Sequence, residues 1–384
     1  MATPSWSNKI TRHEFTHDTA RSPFKTISYL SSGPEDGPLL IFVHGWPSLS
    51  VTWRPQLSTF AGLGFRVVAP DMPGYGASTI TRNKEDYSMQ SLVNVMLLFL
   101  KRGLGREDAV WVGHDWGAGL VWALLAHNPE ACRGVVNMCL PYRTLEMGVD
   151  ELIKYANRDL YPEEEFPNAQ WDYQKWCEAD DGANFEKAVK LCEADVGNFL
   201  KAMIRPAVKH GDTRIEEDDK DETGKSKGHR APTSTVTRDG GLFGGAAKAP
   251  ETDIAESLLD EEMLADMVDA YTKGGFWGPT AWYMNHAANK VWADDWSVNE
   301  GVVSVPTLFV DARQDHVVGT YNSKIKEPME SFCRKHMEVR IEEAGHWVAM
   351  EQPEQVNAAI ARWIATKIPQ SWPFDKEAPL RETE

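Results

Sequence analysis

In the pattern of hydrophobic and polar positions along the first third of the chain, short apolar runs alternate with longer ones. Short apolar runs end in glycine or in a Pro/Gly loop, as in Leu39 to Gly45 and Phe65 to Ser78, and they predict buried strands. The longer apolar run from Ser91 to Gly103 ends in Lys, Arg and Gly, which is typical of a helix C-terminus. Strands that alternate with helices predict a mostly parallel sheet flanked by helices.

The same alternation continues to Pro141, breaks, and resumes after residue 290. Further strands are predicted at 109–115 and 134–140, two more strands with their exit loops at 305–315 and 337–347, and further helices at 116–128 and 353–367. We therefore predict one α/β core formed by residues 1–141 and 291–384, with residues 142–290 inserted between the two parts. The insertion is rich in charge, Trp and Tyr, and its pattern predicts a mainly helical lid (cap) domain.

Within the predicted lid, residues of about 210–250 are polar and glycine-rich. This stretch includes the charge run from Glu216 to Glu222 and the sequence GGLFGGAAKAP, which ends at Pro250. Such a composition buries too little apolar surface to fold by itself, and it predicts a flexible, solvated loop without a chemical role.

Composition narrows the possible partners. The 384 residues carry a formal net charge of -17 at pH 7, which argues against nucleic acid or an anionic membrane as a partner. The 5 cysteines have no metal-site or disulfide spacing, and together with the absence of an apolar leader they predict a cytoplasmic protein with reduced thiols. A small molecule is therefore the expected partner, and the oligomeric state stays open.

The segment from Gly113 to Gly117 has the Gly-x-Ser-x-Gly frame of a nucleophile elbow, with Asp115 in place of serine. An elbow projects one side chain above the sheet, close to the N-terminus of the next helix, where the helix dipole favours a carboxylate. An ionised aspartate is a nucleophile without the help of a base. The glycine frame, together with the acid and the histidine described next, favours the role of nucleophile over that of a simple helix cap.

His346 and Asp315 follow the last two predicted strands, so that nucleophile, acid and histidine stand in the chain order of α/β-hydrolase triads. A carboxylate beside the imidazole would fix its tautomer and stabilise the imidazolium. Asp311 is a rival for Asp315, but it lies closer to the strand, where a structural cap is expected, and we prefer Asp315. The oxyanion hole is predicted from two backbone amides, those of Trp46 and Trp116.

Four core motifs resemble those of the epoxide hydrolases of the α/β-hydrolase fold: HGWP at 44–47, GHDWGA at 113–118, RQDHVV at 313–318 and AGHW at 344–347. Two lid segments are also similar to that family, QWDYQKW and FWGPTAWYMN. The resemblance implies that their tyrosines, Tyr173 and Tyr283, are the ring-opening pair, and that the Trp46–Pro47 bond is cis. It covers nearly the whole chain except the polar stretch.

The resemblance implies a two-step reaction on an apolar or aromatic epoxide. Asp115 would open the ring and form an ester, while Tyr173 and Tyr283 donate a proton to the ring oxygen. Water activated by His346, with Asp315 behind it, would then hydrolyse the ester. A serine in the elbow would give an ether, which offers no carbonyl to the water. We predict no metal and no organic cofactor, since the sequence has no HExxH, P-loop or dinucleotide fingerprint.

Two alternatives remain open at this point. A haloalkane dehalogenase would use the same aspartyl ester, but that family lacks the tyrosine pair. A non-catalytic receptor built on the same fold would have no need of the complete set of five side chains.

Overall fold

An eight-stranded, mostly parallel sheet organises the computed structural model, which describes residues 9–20, 22–207 and 230–373. In spatial order the strands are β1-β2-β4-β3-β5-β6-β7-β8. In chain order they are β1 (Thr11–Thr16), β2 (Thr26–Ser32), β3 (Leu39–Val43), β4 (Arg66–Pro70), β5 (Ala109–His114), β6 (Cys132–Met138), β7 (Thr307–Ala312) and β8 (His336–Ile341). Strand β2 runs antiparallel to β1 and β4, and the remaining pairs are parallel.

Helices cover the sheet and form the lid. They are α1 (Arg54–Gly62), α2 (Met89–Leu98), α3 (Trp116–His127), α4 (Val149–Lys154), α5 (Asp172–Glu178), α6 (Ala183–Ala194), α7 (Val196–Met203), α8 (Val236–Asp239), α9 (Leu242–Gly245), α10 (Glu261–Gly274), α11 (Trp277–Ala281), α12 (His286–Trp296), α13 (Glu327–Phe332), α14 (Val348–Glu351) and α15 (Pro353–Lys367). The predicted α/β-hydrolase fold with an inserted, mainly helical lid is confirmed. The division into 1–141, 142–290 and 291–384 stays a prediction.

The centre of the sheet is buried on both faces, which explains why its strands appear in the sequence as short apolar runs. Every residue of β3 and β5 is buried, and so are the residues of α3 from Trp116 to Ala126. Parallel strands of this kind lie between two layers of helices. Because β3, β5, β7 and β8 are parallel, their carboxyl ends meet at one edge of the sheet, below the lid.

The edge hairpin β1–β2 has no counterpart among the predicted strands. Strand β1 is mostly exposed along its length, with the sequence TRHEFT, so it carries too few apolar positions to give a period-2 signal. Backbone pairing with β2 supplies the register that the side chains do not specify.

Of the predicted flexible loop at about 210–250, residues 210–229 lie outside the described residues, and residues 230–250 form short helical turns with several buried side chains. Val236, Leu242 and Ala249 are buried here. The backbone N–H and the hydroxyl of Thr237 donate to the carboxylate of Asp172 at 2.7 and 2.9 Å. A few apolar anchors and these hydrogen bonds fold the stretch against the lid, although its composition is polar.

Within the described part of the chain, no helix combines the length and the apolar character that crossing a membrane would require. The five cysteines are all buried, and none is in a disulfide.

Candidate active site

The turn between β5 and α3 holds Asp115 in a conformation that projects its side chain above the sheet. Asp115 has φ 53° and ψ -127°, a region that residues with a side chain rarely occupy. The flanking glycines are required by close packing. A Cβ on Gly113 would lie 2.7 Å from the Cα of Ala118, and a Cβ on Gly117 would lie 2.2 Å from the carbonyl oxygen of Val43. The sequence therefore needs both glycines to build the elbow.

The Asp115 carboxylate lies in a buried cradle of backbone donors. The Trp46 amide donates to its Oδ1 atom at 2.8 Å, and Trp116, whose amide is the second predicted donor, follows the aspartate directly at the start of α3. Burial raises the pKa of Asp115, but the hydrogen bond and charge of His346 and the Trp116 amide outweigh it and lower the pKa below its ordinary value. The carboxylate is therefore ionised at neutral pH. The Trp46–Pro47 peptide beside it is cis.

His346 lies between two carboxylates. Its Nδ1 atom is 3.0 Å from Asp315 Oδ2, and its Nε2 atom is 3.6 Å from Asp115 Oδ2. Burial lowers the pKa of His346, but the two carboxylates, Asp315 above all, raise it well above its ordinary value. In the resting protein the ring is therefore an imidazolium.

Asp315 and Asp311, the two candidates for the triad acid, have different contacts. Besides contacting His346, Asp315 accepts hydrogen bonds from the amides of Val317 and Val318 at 2.8 and 3.1 Å. Burial raises the pKa of Asp315, but nearby groups, above all the charge of His346, lower it more. The pKa of Asp315 therefore lies below its ordinary value. Asp311 instead pairs with the side chains of Lys326 and Arg340, which lie 3.0 and 3.1 Å from its Oδ2 atom.

Two lid tyrosines lie above Asp115. The ring of Tyr173 meets that of Tyr283 edge-on at 5.6 Å, and Tyr283 meets the ring of Trp116 at 5.0 Å. Burial raises the pKa of Tyr173 and of Tyr283 well above that of a free phenol, and the nearby Asp115 charge raises both further. Both phenols therefore keep their protons across the neutral range.

Sequence reasoning missed one further polar contact of this pair. The side-chain amide of Gln174 donates to the Tyr173 hydroxyl at 3.0 Å. Adjacent residues on a helix do not normally face each other, so no spacing rule points to Gln174.

A cavity of about 390 Å³ connects these groups with the lid. Asp115, His346 and both tyrosines line one part of it. The lid wall includes Val236, Leu242 and Phe243, from the stretch for which the sequence predicted no chemical role. The walls are mostly apolar, so the cavity fits a molecule that is itself mostly apolar.

Among the described residues, His114, Cys139 and His346 form a group with the composition of a metal site. Their other contacts point to a different role. His114 Nε2 lies 2.6 Å from the carbonyl oxygen of His346, and Cys139 Sγ lies 3.2 Å from the same oxygen. Both ring nitrogens of His346 face carboxylates. The group therefore holds the backbone of His346 in place.

Comparisons with known proteins agree with this arrangement. The sequence profile of the alpha/beta hydrolase fold family matches residues 38–353. The chain is 30% identical over 332 residues to "Bifunctional epoxide hydrolase 2" of Sus scrofa, a match that covers 86% of this chain and 52% of that protein. The chain thus spans about half the length of these bifunctional relatives. It is 27% identical over 349 residues to "Epoxide hydrolase A" of Mycobacterium tuberculosis, with 88% and 94% of the two chains covered.

Solved structures share the fold. The crystal structure of Epoxide Hydrolase A from Mycobacterium thermoresistibile has a TM-score of 0.66 and 24% identity, and covers 93% of this chain and 99% of that one. An epoxide hydrolase from Vigna radiata has a TM-score of 0.66 and 21% identity, over 92% and 98% of the two chains. The resemblance seen in the sequence motifs is confirmed. The chain belongs to the alpha/beta hydrolase fold family and has epoxide hydrolases among its relatives.

Proposed function

We propose that this chain hydrolyses epoxides to vicinal diols through a covalent ester on Asp115. One observation carries the proposal: the ionised, buried Asp115 carboxylate faces two protonated phenols across an apolar cavity. Opening an epoxide needs an anionic nucleophile on the carbon and a proton donor on the oxygen. The similarity to epoxide hydrolases of Sus scrofa and Mycobacterium tuberculosis supports the same activity.

In the first step, an oxygen of Asp115 attacks a ring carbon and the carbon–oxygen bond of the epoxide breaks. The ring oxygen takes a proton from Tyr173 or Tyr283, leaving a phenolate and a hydroxyalkyl ester. A positioned proton donor of this kind contributes about 10²–10⁴-fold to the rate. The raised pKa of both phenols keeps the donor protonated until the oxygen develops charge.

In the second step, water attacks the carbonyl carbon of the ester. Asp115 is one of the two carboxylates that raise the pKa of His346, and esterification removes its charge. The pKa of His346 therefore falls and the imidazolium loses its proton. Through solvent, this proton restores the phenol. Neutral His346 then takes a proton from the attacking water, and Asp315 stabilises the imidazolium. The Trp46 and Trp116 amides stabilise the oxyanion. The bond between the acyl carbon and the diol oxygen then breaks, the departing oxygen takes the second proton of the attacking water, and Asp115 is again a carboxylate beside imidazolium.

Removing the two phenols tests the proposal against a dehalogenase activity. We expect Tyr173→Phe and Tyr283→Phe each to lower kcat/KM for styrene oxide by about 10- to 100-fold, and the double variant to abolish measurable diol formation. Diol release and halide release from a bromoalkane of similar size are measured in parallel. Tyr155→Phe, at a lid position that does not line the cavity, serves as the matched control.

Unchanged diol formation in the double variant would remove the tyrosines from the mechanism. Halide release that does not depend on them would favour the dehalogenase alternative. A wild-type protein that binds epoxides but converts neither class would favour the receptor alternative.

The two steps should respond differently to pH. Hydrolysis of the ester needs neutral His346, so its rate constant should rise with pH and level off above the pKa that His346 has in the ester form. Formation of the ester needs ionised Asp115 and protonated phenols. Because the pKa of Asp115 is lowered and the pKa of each phenol is raised, the rate of this step should not change across the neutral range. Quenched single-turnover reactions between about pH 5 and 9 would separate the steps. A hydrolysis rate that falls with rising pH would contradict His346 as the base.

We also propose an apolar or aromatic epoxide as the substrate class, because the lid wall of the cavity is apolar where Leu242 and Phe243 line it. A cytoplasmic location is proposed from the five buried, unpaired cysteines. The core at 1–141 and 291–384 and the lid at 142–290 are proposed as the two domains.

A further inference from the structure

A glutamate at the end of α14 collects backbone donors from both sides of His346. The Gly345 amide lies 3.0 and 3.1 Å from the two carboxylate oxygens of Glu351. The Trp347 amide donates to Oε1 of the same carboxylate at 3.2 Å. Glu351 therefore holds the amides of the residues immediately before and after the histidine.

A further donor to this carboxylate comes from the lid. The Ala207 amide donates to Oε2 of Glu351 at 3.0 Å, and the indole N–H of Trp347 donates to the carbonyl oxygen of Met203 at 2.9 Å. A Cβ on Gly345 would lie 2.5 Å from the Cβ of Ala207, so only glycine allows this close approach. The lid segment 203–207 and the loop of His346 are thus joined through one carboxylate.

Capping of a helix explains only part of this arrangement. Glu351 lies in the first turn of the four-residue α14 and accepts from the amide of the N-cap residue Trp347, as a capping carboxylate does. The Ala207 donor comes from a different part of the chain, and the Gly345 donor precedes the histidine, so neither belongs to the helix. The loop that it holds carries a ring whose Nε2 atom lies 3.6 Å from Asp115, and a displacement of about 1 Å at such a site costs about 10²-fold in rate.

We propose that Glu351 is a positioning residue for His346, and that it ties the loop of the histidine to the lid segment 203–207. The inference rests on the proposed function, because it assigns Glu351 to the second of the two steps. Ester formation uses Asp115 and the phenols and does not need His346 in a fixed position. Ester hydrolysis needs the ring to hold a water against the ester.

The test is Glu351→Gln in the full-length protein, followed by quenched single turnovers with styrene oxide. A side-chain amide has one accepting oxygen instead of two, so part of the four contacts is lost. We expect ester formation to stay within about threefold of the wild type and ester hydrolysis to slow by about 10- to 100-fold. The ester should then accumulate in the steady state and appear as a mass increase of one substrate.

Glu354→Gln is the matched control, since Glu354 is exposed three residues further along and the variant makes the same change in charge. It should leave both steps unchanged. Glu351→Asp keeps the charge but shortens the side chain, and it provides a milder variant if the glutamine protein fails to fold. We expect it to slow hydrolysis alone, by less than the glutamine variant does.

Hydrogen exchange gives a readout that does not depend on turnover. In Glu351→Gln the amides of Gly345, Trp347 and Ala207 should exchange faster together, while β5 and α3 keep the protection of the wild type. Equal loss of both chemical steps, or exchange that is unchanged at these three amides, would overturn the proposal. A wild-type protein that forms no ester at all would instead count against the proposed function, and the exchange result would still stand.

Discussion

Asp115→Ala is expected to reduce diol formation by roughly 10⁴-fold or more, because no other group in the cavity replaces the nucleophile. The carboxylate lies above the sheet on a turn that only small neighbours permit, and the Trp46 amide holds one of its oxygens. Intact-mass measurement after mixing with excess epoxide should show no adduct on the variant. Thermal unfolding and quenching of tryptophan fluorescence by the substrate would show that the variant folds and still binds.

Asp239 supplies a matched control, since its side chain also lines the cavity and is 36% exposed. Asp239→Ala should still form and hydrolyse the ester. If Asp115→Ala retained turnover, or if the adduct mapped to another peptide, the nucleophile would have to be sought elsewhere in the cavity.

Much of the fold and of the candidate site could be predicted from local sequence. The glycines around Asp115 mark the elbow because their neighbours leave no room for a Cβ. The apolar runs of β3 and β5 are visible because both faces of these strands are buried. Parallel pairing then places Asp115, Asp315 and His346 at one edge, since each follows a strand whose carboxyl end lies there.

The remaining features depend on tertiary contacts between segments that are distant in the chain. Phe243 lines the cavity from a glycine-rich stretch whose composition predicts solvent exposure. Strand β1 is mostly exposed and has little apolar pattern. The roles proposed for Tyr173 and Tyr283 came from a resemblance, because a tyrosine in a Trp-rich lid is otherwise expected to be packing. Glu351 gives no sequence signal, since its donors are backbone amides.

His346→Gln is expected to leave ester formation largely intact and to stop the second step. Glutamine has no basic nitrogen, so it cannot accept a proton from water, and general-base catalysis of about 10²–10⁴-fold is lost. Asp115 keeps its backbone donor, the Trp46 amide, although its pKa should rise when the charge of His346 is removed. One equivalent of epoxide should therefore be consumed in a burst, and the protein should gain the mass of one substrate on the peptide that carries Asp115.

The identity of the trapped species separates the two-step mechanism from direct attack of water on the epoxide. His316→Gln is the matched control, because His316 is a second, half-buried histidine that lines the same cavity. It should not trap the ester, since the ring between Asp115 and Asp315 belongs to His346. Direct hydrolysis would give no adduct in either variant, and loss of His346 would then lower the rate without a burst. If an adduct forms in His346→Gln and disappears only at higher pH, the first step has made the ester. Solvent hydroxide then hydrolyses it in place of the missing base.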